Sequence, residues 1–381
     1  MAKNILIIAP PFEGHIAGLK EIIKDLLALG HNVTCYLLDK FEDRFKGIDV
    51  KLKTFDIGII KPPPKAPEIA IKGLTFAKTY EEILSLAIKS NEKYDYLIFD
   101  SILDGYEMNK IFKVPNLISL YTFPIVEVIP MTKFSAGKRV EFLAPVNQKF
   151  NLNLRDFMDI VYDKHSKYKL VLTSKLFQPE TNVIDDSYYF LGPSFDERPL
   201  DTTFTFKKDE NKKLIYISFG TVYTQKPIIE LFKKCIETFK NSKEFQIILS
   251  IGQNNNIEDL GEIPEHIYVY KHVPQLQVLK MTDIFITHGG LNSINEAFLL
   301  KNLPLIVIPQ GFDQLGNAKQ LEKLGAAVML KNDNVNEETL KNAVNKIVEN
   351  EEQYKNEVKK ISQSFKETRA ERKKIYEKIF V

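Results

Sequence analysis

Short runs of almost uninterrupted apolar residues recur along the whole chain, with amphipathic stretches between them; LIIAP, YLIFD, IFIT and LIVIP are the clearest. A strand with one buried face alternates apolar and polar residues. A strand covered on both faces is apolar throughout, the habit of parallel sheets flanked by helices. The pattern predicts strands over 3–10, 31–38, 94–100, 116–120 and 170–174. Further strands are expected over 214–220, 245–252, 267–273, 284–288, 304–309 and 326–330. Leu19, Ile22, Ile23, Leu26, Leu27 and Leu29 make one apolar stripe on a helix that Gly30 is placed to end, and a second helix is expected over about 227–240. Strand–helix–strand units repeated through both halves predict two doubly wound α/β domains.

A length of 381 residues accommodates two domains, each with its own core. The stretch 196–212 is polar and shows no apolar period, and LIYISFG then opens a fresh strand. The expected division is a first domain over 1–195, a linker over 196–212 and a second domain over 213–350. A highly charged C-terminal helix comes next within 351–381, its sparse apolar positions suited to packing back on the first domain. KPPPKAP at 61–67 reads as an irregular loop.

Composition removes several classes of function. Charged residues make up 27% of the chain, yet the net charge is only +2 and the Lys and Arg are dispersed, so nothing points to nucleic acid. The two cysteines, Cys35 and Cys235, are far apart, which speaks against a disulfide framework and for a reducing cytoplasm. The start, MAKNILIIAPPF, reads as a strand and lacks the features of a signal peptide. No run of 18 uncharged apolar residues is available to span a membrane. A monomer or weak dimer is expected.

In open α/β sheets ligands lie at the carboxyl ends of strands, and the informative residues of this chain come just after strands. In IFITHGGLNSINEAFLLKNLPLIVIPQGFDQLGNA, at 284–318, a strand ends at His288, two glycines come next, and a helix starts near Asn292 or Ser293. Glycines let backbone approach a ligand closely, and a helix N-terminus offers unpaired N–H groups and partial positive charge to a phosphate. His288 adds a donor, and Glu296, one turn into the helix, is suited to accept from ribose hydroxyls. Taken alone, the same residues are the usual make-up of a capping turn with Asn292 as N-cap.

The neighbouring residues extend the pattern. HVPQLQVL supplies His272, Pro274 and Gln275; then come His288, Gly290, Asn292, Ser293 and Glu296, and finally Asp313, Gln314 and Asn317. This series resembles the donor signature of the family 1 glycosyltransferases. That signature runs Trp-x-Pro-Gln, His-x-Gly-x-Asn-Ser-x-x-Glu, then Asp-Gln or Glu-Gln followed by Asn. Among its members the chain looks most like bacterial macrolide- and flavonoid-type enzymes. The resemblance implies the GT-B fold, two Rossmann-like domains facing across a cleft, and a UDP-sugar or dTDP-sugar as donor. It implies that Gln275 and Glu296 hold the ribose, that His288, Asn292 and Ser293 hold the diphosphate, and that Asp313 and Gln314 bind the transferred sugar. Ser218 and Thr221, in ISFGT, match the second phosphate loop. His272 departs from the pattern: it replaces the Trp that stacks on the base, so the base would be held by a smaller ring and the backbone near Val273.

On the acceptor side, PPFEGHIAGLKEII places His15 after the first strand, and Asp100 closes the strand YLIFD. Histidine titrates near neutrality and can take a hydroxyl proton, and a carboxylate beside it would fix the tautomer and stabilise the imidazolium. Each residue alone also reads blandly, His15 as a turn residue and Asp100 as a helix cap. The resemblance makes His15 the general base and Asp100 its partner. It implies an inverting transfer to a hydroxyl of a small, apolar or aromatic acceptor. His31, His165 and His266 read as solvated. No Asp-x-Asp triplet and no metal-spaced cluster occurs, so no metal and no cofactor is expected. Two other readings share the fold: a nucleotide-sugar epimerase, and a lipid or cell-wall glycosyltransferase at the membrane face using apolar residues near 55–79.

Overall fold

The computed structural model describes residues 1–60, 68–124, 133–155, 160, 162–195, 198, 200–220, 226–311 and 313–381. The proline-rich 61–67 and Thr221 lie outside these. The chain forms two compact units: Met1–Ser174 with Glu180–Asp196 and Glu367–Val381, and Lys175–Pro179 with Glu197–Lys366.

The first unit contains β1 (Asn4–Ile8), β2 (Asn32–Leu38), β3 (Lys51–Phe55), β4 (Tyr96–Asp100), β5 (Asn116–Tyr121), β6 (Tyr168–Val171) and β7 (Tyr188–Phe190). They form a parallel sheet in the order β3-β2-β1-β4-β5-β6-β7. Helices α1 (Glu13–Ala28), α2 (Glu68–Lys89), α3 (Gly105–Phe112) and α4 (Lys133–Phe150) lie between them in sequence. Every residue from Ile5 to Ile8 is fully buried, as strands sandwiched between helices require. Leu19, Ile22, Ile23 and Leu26 of the α1 stripe are buried and Leu27 and Leu29 partly so, and Gly30 comes after the helix at φ 81°, a conformation that glycine adopts without a Cβ penalty.

The second unit contains β8 (Lys213–Ser218), β9 (Phe245–Ser250), β10 (Ile267–Tyr270), β11 (Ile284–Thr287), β12 (Leu305–Val307) and β13 (Ala327–Met329), again parallel, in the order β10-β9-β8-β11-β12-β13. Its helices are α5 (Lys226–Phe239), α6 (Gln275–Met281), α7 (Leu291–Lys301), α8 (Gln314–Lys323), α9 (Glu337–Glu349) and most of α10 (Glu351–Ala370). Both sheets are doubly wound. Strand order reverses between β1 and β4 in one and between β8 and β11 in the other, and these switch points open a crevice at the strand ends.

Three sequence expectations change. Strands β3 and β7 are additions; they are the two edges of their sheet, and an edge strand such as KLKTF, with one face wet, lacks a continuous apolar run. Most of the expected linker joins the second unit: Phe204 and Phe206 stand edge-on to Tyr270 and Tyr268, and Lys208 Nζ lies 2.7 Å from Asp283 Oδ2. The C-terminal segment is two helices, α10 and α11 (Arg372–Ile379). In the first unit, Arg372 donates to the carbonyls of Gly192 and Pro193, 3.1 and 2.7 Å away, and pairs with Glu21. Among the described residues no helix is long and apolar enough to cross a membrane.

Candidate functional site

At the switch point of the first sheet, β1 and β4 are adjacent with Ile8 opposite Phe99, so the segment leaving β1 meets the end of β4. His15 lies in the first turn of α1 and Asp100 closes β4. His15 Nδ1 is 2.8 Å from Asp100 Oδ2; the His15 side chain is 22% exposed and that of Asp100 fully buried. The other carboxylate oxygen accepts from the Ile102 amide at 3.1 Å. An ionised Asp100 accepts only, so Nδ1 carries the proton and Nε2 the lone pair. Sequence reasoning missed a third member, Thr122, just past β5. Its hydroxyl lies 2.8 Å from His15 Nδ1 and donates to Asp100 Oδ2 at 3.3 Å. Asp100 pairs with Leu120 in the β4–β5 register, and Thr122 comes two residues beyond that pair, just past the end of β5. Its one signal in the sequence was its position after a strand.

At the second switch point Ser218 ends β8 opposite Thr287, the last residue of β11. His288 and the two glycines come next, and α7 begins at Leu291 with Gly290 as N-cap. Asn292 is therefore inside the first turn, with Ser293, and is not the cap. Gly289 has φ 83°, and a Cβ there would stand 2.6 Å from Val307 Cγ1; only glycine fits without displacement. Gly220, at φ 80°, comes so near His288 that a Cβ would meet the ring at 3.0 Å. Burial lowers the pKa of His288 to about 4, against an opposing hydrogen bond with the Ser218 backbone. The unliganded imidazole is neutral at pH 7.

Gln275, the first residue of α6, and Glu296, on α7, come together. Gln275 Nε2 donates to Glu296 Oε2 at 2.6 Å and to Ser293 Oγ at 3.4 Å. Two partners were not foreseen. The fully buried Tyr216 donates to Gln275 Oε1 at 3.1 Å, burial pushing its phenol pKa up and keeping the proton in place. Arg198 pairs with Glu296 Oε1. Neither had a local signal, since Tyr216 reads as a core strand residue and Arg198 as linker.

Asp313 is the N-cap of α8 and accepts from Asn317 Nδ2 at 2.8 Å. That amide also donates to the Gly289 carbonyl at 2.9 Å, joining the loops after β11 and β12. Gln314 is buried, and its Oε1 accepts from the amides of Gln310 and Gly311 at 2.8 and 3.1 Å, so that oxygen shapes its own loop. His272 is exposed, while the Val273 side chain is buried in the core. Of the other histidines, His165 is exposed and stacks on Tyr106 at 3.8 Å, whereas His266 is half-buried, its Nε2 2.9 Å from the Phe239 carbonyl. Among the described residues no group of three or more His, Cys, Asp or Glu is placed to hold a metal ion.

Residues 215–373 match the family described as the glycosyltransferase family 28 C-terminal domain. Over 366 residues the chain is 28% identical to the uncharacterized UDP-glucosyltransferase YojK of Bacillus subtilis, covering 91% of this chain and 89% of that protein. It is 26% identical to the oleandomycin glycosyltransferase of Streptomyces antibioticus over 356 residues, covering 88% and 81%. The solved structure of the glycotransferase of kitacinnamycin superposes with a TM-score of 0.77 over 99% of this chain and 98% of that one, at 21% identity. The chain is a glycosyltransferase of the GT-B fold, similar to the family 1 enzymes.

Proposed function

We propose that this glycosyltransferase moves a hexosyl group from a UDP-sugar to a hydroxyl of a small, apolar or aromatic acceptor, with inversion and with His15 as general base. The observation that carries this reading is the His15–Asp100 pair at 2.8 Å, which leaves the lone pair of the imidazole on Nε2. Nε2 takes the acceptor's proton as its oxygen bonds to the anomeric carbon, while the bond from that carbon to the diphosphate breaks. Asp100 stabilises the imidazolium without being protonated itself. The leaving diphosphate takes the electron pair, and its charge is met by the first turn of α7, by Ser218, Asn292 and Ser293, and by His288, which charges as the phosphate approaches. A helix N-terminus and a histidine thus do the work of a divalent cation, and no metal is required.

The names of the two relatives support a UDP-sugar donor and a small-molecule acceptor. Cys35 and Cys235, both buried free thiols, fit work in the cytoplasm. An epimerase would have no use for an activated base outside the donor unit, and the dyad disfavours it. The test is a mass-spectrometric screen of UDP- and dTDP-sugars against phenolic and alcoholic acceptors, run beside His15→Ala. The variant is expected to lose two to four orders of magnitude in turnover, roughly what general base catalysis contributes, with the nucleotide still bound. Unchanged turnover would remove His15 from the mechanism.

A further inference from the structure

Glu296 has a side-chain exposure of 15%, and Arg198, at 39%, reaches it from a segment just past the GPSF turn. A largely buried carboxylate needs a partner for its charge, and Arg198 supplies one. The approach is anchored. The amide of Asp201 donates to Gln277 Oε1 at 3.0 Å, and Gln277 Nε2 donates to the Asp201 carbonyl at 3.2 Å. That side-chain amide pairs with backbone as a neighbouring strand would, tying the Arg198 segment to α6. The same helix carries Gln275, which holds the other oxygen of Glu296 at 2.6 Å. The carboxylate is therefore gripped on both oxygens by groups referred to one helix, and its plane is fixed.

Each carboxylate oxygen has two lone pairs, so an oxygen gripped by one protein donor can also accept from a ligand hydroxyl. A ribose presents two neighbouring hydroxyls, which need two acceptors at a set separation. A 2′-deoxyribose presents one, which either oxygen of a rotating carboxylate serves. Fixing the plane therefore benefits the diol far more than the single hydroxyl, by the logic of preorganisation.

We propose that Arg198 is a positioning residue of the donor site: by holding one oxygen of Glu296 it makes the site discriminate a ribonucleoside diphosphate from its 2′-deoxy counterpart. This rests on the reading of Glu296 as the ribose-holding carboxylate. It assigns Arg198 no contact with the reacting atoms.

Calorimetry with UDP and with 2′-deoxyuridine diphosphate, which differ only at the 2′ position, tests it on the full chain. The wild type is expected to favour UDP by about tenfold or more, since a hydrogen bond to a charged group contributes at least that much. In Arg198→Ala the preference falls to within about threefold, because the freed carboxylate no longer chelates the diol. Arg198→Lys keeps the charge but not the fork, so it lowers the preference while leaving deoxynucleotide affinity within about twofold. Thermal unfolding of each variant reports whether the unit is intact. A wild type that does not distinguish the two nucleotides overturns the proposal, as does an Arg198→Ala variant that weakens both by the same factor. Binding of neither nucleotide by the wild type would instead overturn the donor-site reading beneath it.

Discussion

Asp100→Asn changes one atom of the dyad, and the surrounding hydrogen bonds dictate how the new side chain must sit. Asp100 is 1% exposed, and its Oδ1 accepts from the Ile102 amide, a buried donor that would otherwise be orphaned. The asparagine therefore keeps its oxygen toward Ile102 and turns its NH2 toward His15 and Thr122. The NH2 donates, so Nδ1 must accept, and the ring proton moves to Nε2, the position that has to be unprotonated to act as base. The electrostatic loss can be sized. With Nδ1 and Oδ2 at 2.8 Å, the charge centres of imidazolium and carboxylate are about 4 Å apart. At an effective dielectric constant of about 20 their attraction is about 4 kcal/mol, or about three orders of magnitude in rate. The partial exposure of His15 screens some of this, and the wrong tautomer adds to it. The expected result is a kcat lowered about 10³-fold with the donor KM within about threefold, since the dyad lies outside the donor unit. Steady-state kinetics at saturating acceptor measures it, and circular dichroism confirms the fold. A loss under about tenfold in a folded variant would refute both the amide orientation and the role of Asp100.

Four further outcomes are expected. Because His288 is held at about 4, below the usual value of about 6.5, the folded chain binds fewer protons than the unfolded chain between those values; stability should fall by about 3 kcal/mol as pH drops from 6.5 to 4 and level off below. A bound diphosphate favours the imidazolium, so UDP-glucose should bind more tightly, with proton uptake, as pH falls from about 7 to 5; a flat calorimetric profile would count against His288 as a phosphate ligand. Gly289→Ala should cost about 2–4 kcal/mol in chemical denaturation, combining the left-handed backbone with the clash on Val307, and a cost below about 0.5 kcal/mol would mean that the loop relaxes freely. His272→Trp should tighten UDP by about 1–3 kcal/mol if the exposed ring at this position covers the base; calorimetry that finds less than a twofold change would place the base elsewhere.

What could be read without the structure was what the chain encodes locally. Continuous apolar runs marked the interior strands because burial on both faces acts on every residue of the run. Asp100, His288 and Gly290 were conspicuous because each stands at or just past the end of a strand, the level at which a doubly wound sheet exposes its ligands, and His15 because it lies in the first turn of the helix after β1. The edges escaped notice: β3 and β7 have one partner strand each, and nothing in KLKTF or YYF demands burial on two faces. Thr122, Tyr216 and Arg198 escaped for a different reason. A hydrogen-bond partner is chosen by which strand ends the sheet order sets side by side, and these partners are 107, 59 and 98 residues away from the groups they serve. Such separations leave no periodic trace in sequence. Register and the anchoring of one loop on α6 decide them, and they exist only once the chain has folded.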